Sequence, residues 1–196
     1  MDEPGDERED AVRVRGEEVL WDGWATLRRA TFDLRRRDGA WQTQQRMTYE
    51  SGDGAALLPY DASRGTVILV RQFRWPAWKR GRRAPMVEVI AGLVGDGTPE
   101  ETVRREAEEE AGLRIAAPRR LFQAFSSPGS ITERLTYFVA PYTAADRVGE
   151  GGGLRTEGED IEVLEPTLAM IGGEVQDAKT IILLHHAALH GLTRAG

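Results

Sequence analysis

The chain has 196 residues, of which 40% are hydrophobic and 30% charged, a composition typical of globular proteins. Its formal net charge of −6 argues against a general nucleic-acid or membrane-surface binder, because either would need an excess of basic residues. The chain contains no cysteine, which excludes disulfides, thiolate metal sites and cysteine nucleophiles together.

The length suits one domain with a sizeable core, and no linker divides it. No signal-peptide pattern and no long apolar run is present, so we expect a cytoplasmic protein that binds neither nucleic acid nor membrane. The first ten residues are acidic and lack apolar anchors, which predicts a disordered tail over residues 1–15.

Two β-prone runs at residues 24–34 and 41–49 flank Asp38-Gly39, a pattern that predicts a β-hairpin within residues 16–50. The faces of this hairpin are mixed rather than cleanly apolar. That mixture leaves two alternatives open, solvent exposure or contact with something other than the domain's own core.

The main domain is predicted to occupy residues 51–196. Short β-prone runs predict strands at residues 55–60, 66–73, 86–91, 121–125, 135–140 and 161–164. Helices are predicted at residues 99–111, 167–171 and 178–189, the last capped by Asp177. This order fits an α/β fold in which a mixed sheet carries a helix on each side.

Two loops stand out by composition. The first, at residues 74–85, contains five basic residues and two tryptophans, and either plain surface or a mobile functional loop explains it. The second, at residues 144–160, contains Gly151-Gly152-Gly153. Its length without regular structure predicts a functional lid or disorder.

The predicted helix at residues 99–111 has clear boundaries and an acidic face. Thr98 is a good N-cap, Glu101 closes a capping box with it, and Gly112 is a stop signal. Three acids fall within an arc of about 100° on this helix. They are Glu106, Glu109 and Glu110.

This acidic face has two interpretations, a solvated surface or a site for hard divalent cations. Like charges on one arc repel unless something positive lies between them. Mg²⁺ prefers oxygen ligands and keeps waters and substrate phosphates. The glycine-rich loop that precedes the helix favours the metal site.

Residues 92–113 resemble the Nudix box, whose second half reads Arg-Glu-apolar-any-Glu-Glu-any-Gly-apolar. The matching residues are Arg105, Glu106, Ala107, Glu109, Glu110, Gly112 and Leu113. The first half departs from the pattern, because it is one residue shorter and Thr98 stands near the expected first Glu.

Over about residues 20–190 the chain resembles the GDP-mannose hydrolase branch of the Nudix family, close kin of the ADP-ribose pyrophosphatases. The resemblance rests on Arg71-Gln72-Phe73-Arg74, Ser127-Pro128-Gly129 and residues 160–165, among others. The shorter box is also a feature of that branch. The resemblance implies a Nudix-type α/β/α sandwich and a homodimer whose N-terminal hairpins reach the partner's active site.

The same resemblance implies the site residues. The implied metal ligands are Ala91 through its carbonyl, Glu106, Glu110 and Glu159, with Glu109 beside them and Glu157 as a fallback for Glu159. The implied ion is Mg²⁺, with Mn²⁺ as a substitute. The implied substrate contacts are Trp24, Arg46, Arg74, Gly92, Leu93, Glu133, Asp160 and Lys179. Met47 stands where the family has an acid.

The implied reaction is hydrolysis of the pyrophosphate bond of a nucleoside-diphosphate sugar. GDP-mannose, giving GMP and mannose 1-phosphate, is preferred over ADP-ribose, giving AMP and ribose 5-phosphate. Glu159 is the first choice for the base that activates water and Glu133 the second, while Glu106 and Glu110 hold the metal. A regulator that binds nucleotides without cleaving them is a further alternative, although such domains commonly lose box acids.

Other residue types carry weaker signals. His186 and His190 have the i,i+4 spacing of a zinc pair, but no third ligand is evident, and histidines near a helix end interact favourably with its dipole. Ser127 lacks the context of a serine nucleophile.

Overall fold

The computed structural model describes residues 11–171, 173 and 175–193. The chain forms two compact units, one from residues up to 52 together with 125–133, the other from residues 53–124 and from 134 onward. Most of the predicted disordered tail, residues 1–10, lies outside the described residues.

The first unit is an antiparallel sheet in the order β1 (Val12–Asp22), β2 (Thr26–Arg35) and β3 (Trp41–Glu50). The predicted hairpin corresponds to β2 and β3, whereas β1 was missed, and it begins inside the predicted tail. The alternation Val-Arg-Val-Arg at residues 12–15 is a strand pattern, which the acidic residues before it obscured.

Residues 125–133 attach to the last strand of this unit. The amide of Tyr49 donates to the carbonyl of Ser130 at 2.9 Å, and the amide of Thr132 donates to the carbonyl of Tyr49 at 3.2 Å. This segment therefore extends the sheet's edge.

The second unit contains the rest of the strands and the helices. Its strands are β4 (Gly54–Asp61), β5 (Thr66–Val67), β6 (Leu69–Gln72), β7 (Met86–Glu88), β8 (Ile90–Leu93), β9 (Arg119–Phe125), β10 (Arg134–Pro141) and β11 (Glu162–Leu164). Strand β4 pairs parallel with β10 and antiparallel with β5 and β8, so this sheet is mixed as predicted. A second, antiparallel sheet has the order β11-β6-β7.

The helices are α1 (Trp75–Lys79), α2 (Pro99–Ala111) and α3 (Ala178–Leu189). Both longer helices have the predicted bounds and caps, with Thr98 capping α2 and Asp177 capping α3. The short helix predicted at residues 167–171 is a 3-10 helix at Leu168–Met170. None of the helices found in the described residues is long and apolar enough to cross a membrane.

Alternating residues of β4 separate the core into two layers. Ala55 and Leu57 pack with Val103 and other apolar residues of α2. Ala56 and Leu58 pack on the opposite face with Leu183 and its neighbours on α3. Because successive strand residues point to opposite faces, the sheet lies between the two helices, and the predicted α/β/α sandwich is confirmed.

Two strands that the sequence predicts as continuous are each divided between the two sheets. The strand predicted at residues 66–73 is divided into β5 and β6. The strand predicted at residues 86–91 is divided into β7 and the first two residues of β8. At the breaks, the amide of Ile68 donates to the carbonyl of Pro59 at 3.0 Å, and the amide of Val89 donates to Thr180 Oγ1 at 2.8 Å. Apolar character continues across both breaks, so the sequence pattern does not reveal them.

Candidate active site

The acidic face of α2 lies against β8. Glu110 is almost fully buried, with 2% of its surface exposed, and its carboxylate accepts a hydrogen bond from the amide of Ala91. Glu106 and Glu109 are partly buried on the same helix. The predicted helix geometry therefore brings these three acids to one side of the second unit.

Gly92 allows β8 to approach this face closely. A Cβ at Gly92 would lie 1.9 Å from Oε1 of Glu106, a distance that no side chain tolerates. The absence of a side chain at this position is what lets the strand backbone lie beside the acid. Leu93 follows Gly92 in β8 and is partly exposed.

The glycine run Gly151-Gly152-Gly153, which lies in the late loop at residues 144–160, is hydrogen-bonded to the carboxyl end of α2. The amide of Gly152 donates to the carbonyl of Glu110 at 2.9 Å, and the amide of Gly153 donates to the carbonyl of Glu109 at 3.1 Å. These bonds satisfy carbonyls that a helix end leaves unpaired. The loop is thus tied to the same helix that carries the acids.

This attachment places Glu159 next to the helix acids. The amide of Leu154 donates to Oε2 of Glu159 at 2.9 Å, and the amide of Ile161, a core residue, donates to the carbonyl of Gly152 at 3.1 Å. Besides burial, the charge of Glu159 contributes to the raised pKa values of Glu106 and Glu110. Glu157 is exposed in a 3-10 turn, so the geometry favours Glu159.

Burial and mutual repulsion raise the pKa values of the central acids. Loss of solvation, followed by the charges of Glu106 and Glu159, raises the pKa of Glu110 to about 8. Burial also raises the pKa of Glu106, and the neighbouring Arg105 partly opposes this. The cluster therefore holds less negative charge by itself than its composition suggests.

A cation would relieve this repulsion. Oε2 of Glu110 is buried and has no hydrogen-bond partner among the described residues. Arg105 supplies part of the missing positive charge, since its guanidinium lies 2.7 Å from Glu106 and 2.9 Å from Glu109. With these side chains as they stand, no three acids or histidines in the described ranges converge on one point. The donor set, oxygen atoms only, fits a hard divalent cation.

Two basic residues of the second unit share a buried partner. Arg74 donates to both carboxylate oxygens of Glu88, at 2.9 and 3.0 Å, and Nζ of Lys179 donates to Oε2 of Glu88 at 2.8 Å. Lys179 also donates to Asp177 at 3.0 Å, and the charge of Arg74 acts on Glu110. Burial alone raises the pKa of Glu88, but these two cations outweigh it and hold the pKa below its usual value.

Comparison with known proteins identifies the arrangement. Residues 51–184 match the model of the NUDIX domain. The chain belongs to the Nudix family. Residues 11–49 match a second model, described as the GDP-mannose pyrophosphatase NudK N-terminal domain.

Several Nudix relatives cover nearly the whole chain. One from Pectobacterium atrosepticum is 45% identical over 186 residues, which is 92% of this chain and 95% of the relative. One from Cronobacter sakazakii is 40% identical, covering 92% and 97%. One from Escherichia coli O1:K1 is also 40% identical, covering 90% and 94%. All three are named GDP-mannose pyrophosphatase.

The chain is therefore a Nudix hydrolase, an enzyme whose family cleaves pyrophosphate bonds and generally uses a divalent metal.

The predicted site residues fall into two groups. The second unit contains Ala91, Gly92, Leu93, Glu106, Glu109, Glu110, Glu159 and Asp160, together with Arg74 and Lys179. The first unit carries the other three, Trp24, Arg46 and Glu133. Trp24 and Arg46 are exposed there, and Glu133 is partly buried.

Glu88 has no role in the site that the sequence predicts. An acid between Val87 and Val89 in a buried strand indicates an ion pair or hydrogen-bonded group, because a buried carboxylate needs a partner. The sequence could not show that both partners, Arg74 and Lys179, are themselves predicted substrate contacts.

Proposed function

We propose that this Nudix hydrolase cleaves the pyrophosphate bond of GDP-mannose to give GMP and mannose 1-phosphate. The observation that supports this most is that the four acids and two basic residues belong to one unit, where the charge of Arg74 acts on Glu110 and Glu88 links Arg74 to Lys179. Such a site can hold a metal-bound diphosphate by both its charge and its oxygens. The names of the relatives point to the same substrate.

The acids would hold the metal. Glu106, Glu109, Glu110 and Glu159 would bind Mg²⁺, with Mn²⁺ as a substitute, and the carbonyl of Ala91 would complete the set. When bound, the ion neutralises diphosphate oxygens and lowers the pKa of a coordinated water. Arg105 would then give up its contacts with Glu106 and Glu109 and stay near enough to balance charge.

Arg74 and Lys179 would hold the non-bridging oxygens of the diphosphate. Glu88 sets the spacing of these two cations. The hydrogen bonds to Glu88 restrict the conformations of the long side chains of Arg74 and Lys179. Nε and Nη2 of Arg74 donate to Glu88, and Nη1 has no hydrogen-bond partner among the described residues, so it would be the atom that binds a phosphate oxygen. Gly92, Leu93 and Asp160 would line the rest of the site.

Glu159 is our choice for the base that takes a proton from the attacking water. Its carboxylate lies near Glu106 and Glu110 and accepts a hydrogen bond from the amide of Leu154. A base on a loop can adjust when substrate binds. Glu133 in the first unit is the second choice.

We further propose a cytoplasmic homodimer in which the N-terminal region brings Trp24 and Arg46 to the partner's substrate. This assignment leaves the main Nudix domain at residues 51–196 and the dimerisation element at residues 16–50. The exposed positions of Trp24 and Arg46 support it, because neither side chain contributes to a core.

A substrate panel tests the reaction. We expect Mg²⁺-dependent release of GMP from GDP-mannose with a kcat/KM above that for ADP-ribose and other nucleotide sugars. Clear preference for ADP-ribose would replace the substrate and leave the chemistry intact. Tight nucleotide binding without any release would indicate a regulator instead of an enzyme.

A further inference from the structure

The first turn of α3 brings an acid and a cation together beside the buried carboxylate of Glu88. Asp177 is the N-cap of α3, and Lys179 follows two positions later. Nζ of Lys179 donates to Oδ1 of Asp177 at 3.0 Å and to Oε2 of Glu88 at 2.8 Å. The side chains of Lys179 and Asp177 are only 17% and 18% exposed. The ammonium group therefore has two acceptors in a place that solvent hardly reaches.

The second oxygen of Asp177 ties the helix to the strand that carries Glu88. Oδ2 of Asp177 accepts hydrogen bonds from the amide of Thr180 at 3.0 Å and from its hydroxyl at 2.6 Å. Thr180 is fully buried, and its Oγ1 accepts in turn from the amide of Val89 at 2.8 Å. Because Val89 directly follows Glu88, these bonds and those of Lys179 close a ring. A closed ring of hydrogen bonds fixes the distance between the two acceptors of the ammonium group.

The residue type at position 177 exceeds what a helix cap requires. An N-cap needs one acceptor atom, and Thr98, which caps α2, supplies a single hydroxyl oxygen. Asp177 has a second oxygen that carries charge, and this oxygen is bonded to Lys179. The additional atom is therefore directed at a predicted substrate contact.

The charge of Asp177 also reaches the second cation of the group. Burial lowers the pKa of the Arg74 guanidinium, but the carboxylates around it outweigh this effect and raise the pKa. These carboxylates are Glu88, Glu110 and Asp177. Glu88 alone would have to compensate both Arg74 and Lys179, whereas Glu88 and Asp177 together match the two cations one to one.

We propose that Asp177 is a positioning residue that holds Lys179 where its ammonium group binds a diphosphate oxygen of the substrate. This inference rests on the proposed function. Asp177 and Glu88 engage two of the three N–H groups of Lys179, and the third has no hydrogen-bond partner among the residues that the structure describes. That third group is the one left for the substrate. Because the cation is in place beforehand, binding does not have to order a long side chain.

Two variants separate positioning from capping. Asp177→Asn and Asp177→Ser both keep an oxygen that can cap α3, but neither has an anionic oxygen for Lys179. Each is expected to raise KM for GDP-mannose about fivefold and to change kcat by less than about twofold, because diphosphate binding is what weakens. Thermal unfolding checks that both variants keep the fold.

Asp61→Asn is the matched control. Asp61 accepts hydrogen bonds from the amide and the hydroxyl of Ser63 at 2.9 and 2.6 Å and forms an ion pair with Arg64, so it is bonded in the same local manner. It lies at the far end of β4, roughly 23 Å along the strand from Gly54, which pairs with Leu93 of the proposed site. This variant should unfold at a lower temperature and leave KM unchanged.

A double-mutant cycle tests whether Asp177 acts through Lys179. Lys179→Met removes the cation and should raise KM by itself. Adding Asp177→Asn to Lys179→Met should then have little further effect on KM, because the group that Asp177 positions is gone. An unchanged KM in both Asp177 variants, or an effect of Asp177→Asn that is equally large in the Lys179→Met background, would overturn the proposal.

Binding of inorganic pyrophosphate, measured by calorimetry with Mg²⁺, separates this inference from the proposed reaction. Asp177→Asn should weaken binding by about the factor by which it raises KM, and should not weaken it further in Lys179→Met. If the wild type cleaves GDP-mannose and the two substitutions act independently, the positioning role is wrong and the reaction stands. If the wild type cleaves no nucleotide sugar and the pyrophosphate cycle shows coupling, only the reaction is wrong. A wild type that neither cleaves nucleotide sugars nor binds pyrophosphate refutes both.

Discussion

The carboxyl group of Glu110 is buried beside Glu106, Glu159 and the backbone of β8, and this environment raises its pKa from an ordinary 4.5 to about 8. A carboxyl that must lose its proton in such a place destabilises the folded state. In the metal-free protein, the folded state retains a proton that the unfolded state releases between about pH 4.5 and 8. Stability therefore falls as the pH rises through this window.

Glu110→Gln should remove this dependence of stability on pH in the presence of a chelator. The amide keeps the shape and the hydrogen bond from Ala91 but carries no charge, so the variant should unfold at a higher temperature than the wild type at pH 8. The difference should shrink towards pH 5, with a slope of up to about 1.4 kcal/mol per pH unit. Thermal unfolding followed by circular dichroism at several pH values measures it.

The same variant should lose nearly all Mg²⁺-dependent turnover, because its side chain no longer provides an anionic ligand. Glu108→Gln is the matched control, since Glu108 is exposed on α2 and should alter neither turnover nor the pH dependence. Near-normal activity of Glu110→Gln, or a wild type that is equally stable at pH 5 and pH 8 in the presence of the chelator, would contradict the assignment.

Glu88 shows what residue types alone do not reveal. Its charge is compensated by Arg74 and Lys179, which lie 14 and 91 positions away in the chain. The sequence predicts that each of these two cations contacts substrate. Only the fold shows that a single buried carboxylate spaces them.

At the scale of elements, the glycine run of the late loop is fitted to the end of α2. Gly151 has a φ of +73°, and a Cβ there would lie 2.4 Å from the carbonyl oxygen of Glu110. Gly151→Ala should push the loop off the helix and move Glu159, so kcat should fall about tenfold or more while circular dichroism stays unchanged. Overpacking should also lower the free energy of unfolding by about 1–3 kcal/mol.

Gly158 in the same loop provides the control. Its φ of +77° is nearly the same, but no atom lies within 4 Å of the point that a Cβ would occupy. Gly158→Ala should therefore show only the conformational cost of a left-handed residue, about 1–2 kcal/mol, with kcat close to wild type. Equal losses of kcat in the two variants would mean that backbone strain, not the contact with α2, explains the effect.

Elements were predictable where local signals determine them. The bounds of α2 follow from Thr98, Glu101 and Gly112, whose interactions lie within a few residues, and the same holds for Asp177 at α3. Helix α1 was missed because Pro76 and Gly81 are typical of a loop, and five residues are too short for helical periodicity. The docking of the glycine run was not predictable, since its partners are carbonyls of α2 that precede it in the chain by more than the length of β9 and β10.

At the scale of the whole molecule, the sheet of the first unit presents an apolar face. In the register of β1 and β2, Val12 pairs with Leu34 and Val14 with Phe32, so these four side chains share one face. Val14 is 67% exposed. Ala25 is the only hydrophobic residue that is fully buried in the described part of this unit.

Such a face is expected to pack against a second copy of the chain. Arg46 pairs with Ala30, which lies two residues before Phe32 along β2, so a predicted substrate contact shares this face. Val12→Lys combined with Val14→Lys should therefore convert a dimer of about twice 21.7 kDa into a monomer and lower kcat/KM, because charge is introduced where packing is needed. Sedimentation velocity and kinetics on the same samples measure both effects, with Val148→Lys in the second unit as the control. A wild type that sediments as a monomer at every concentration, or a monomeric variant with full activity, would refute the role of this face.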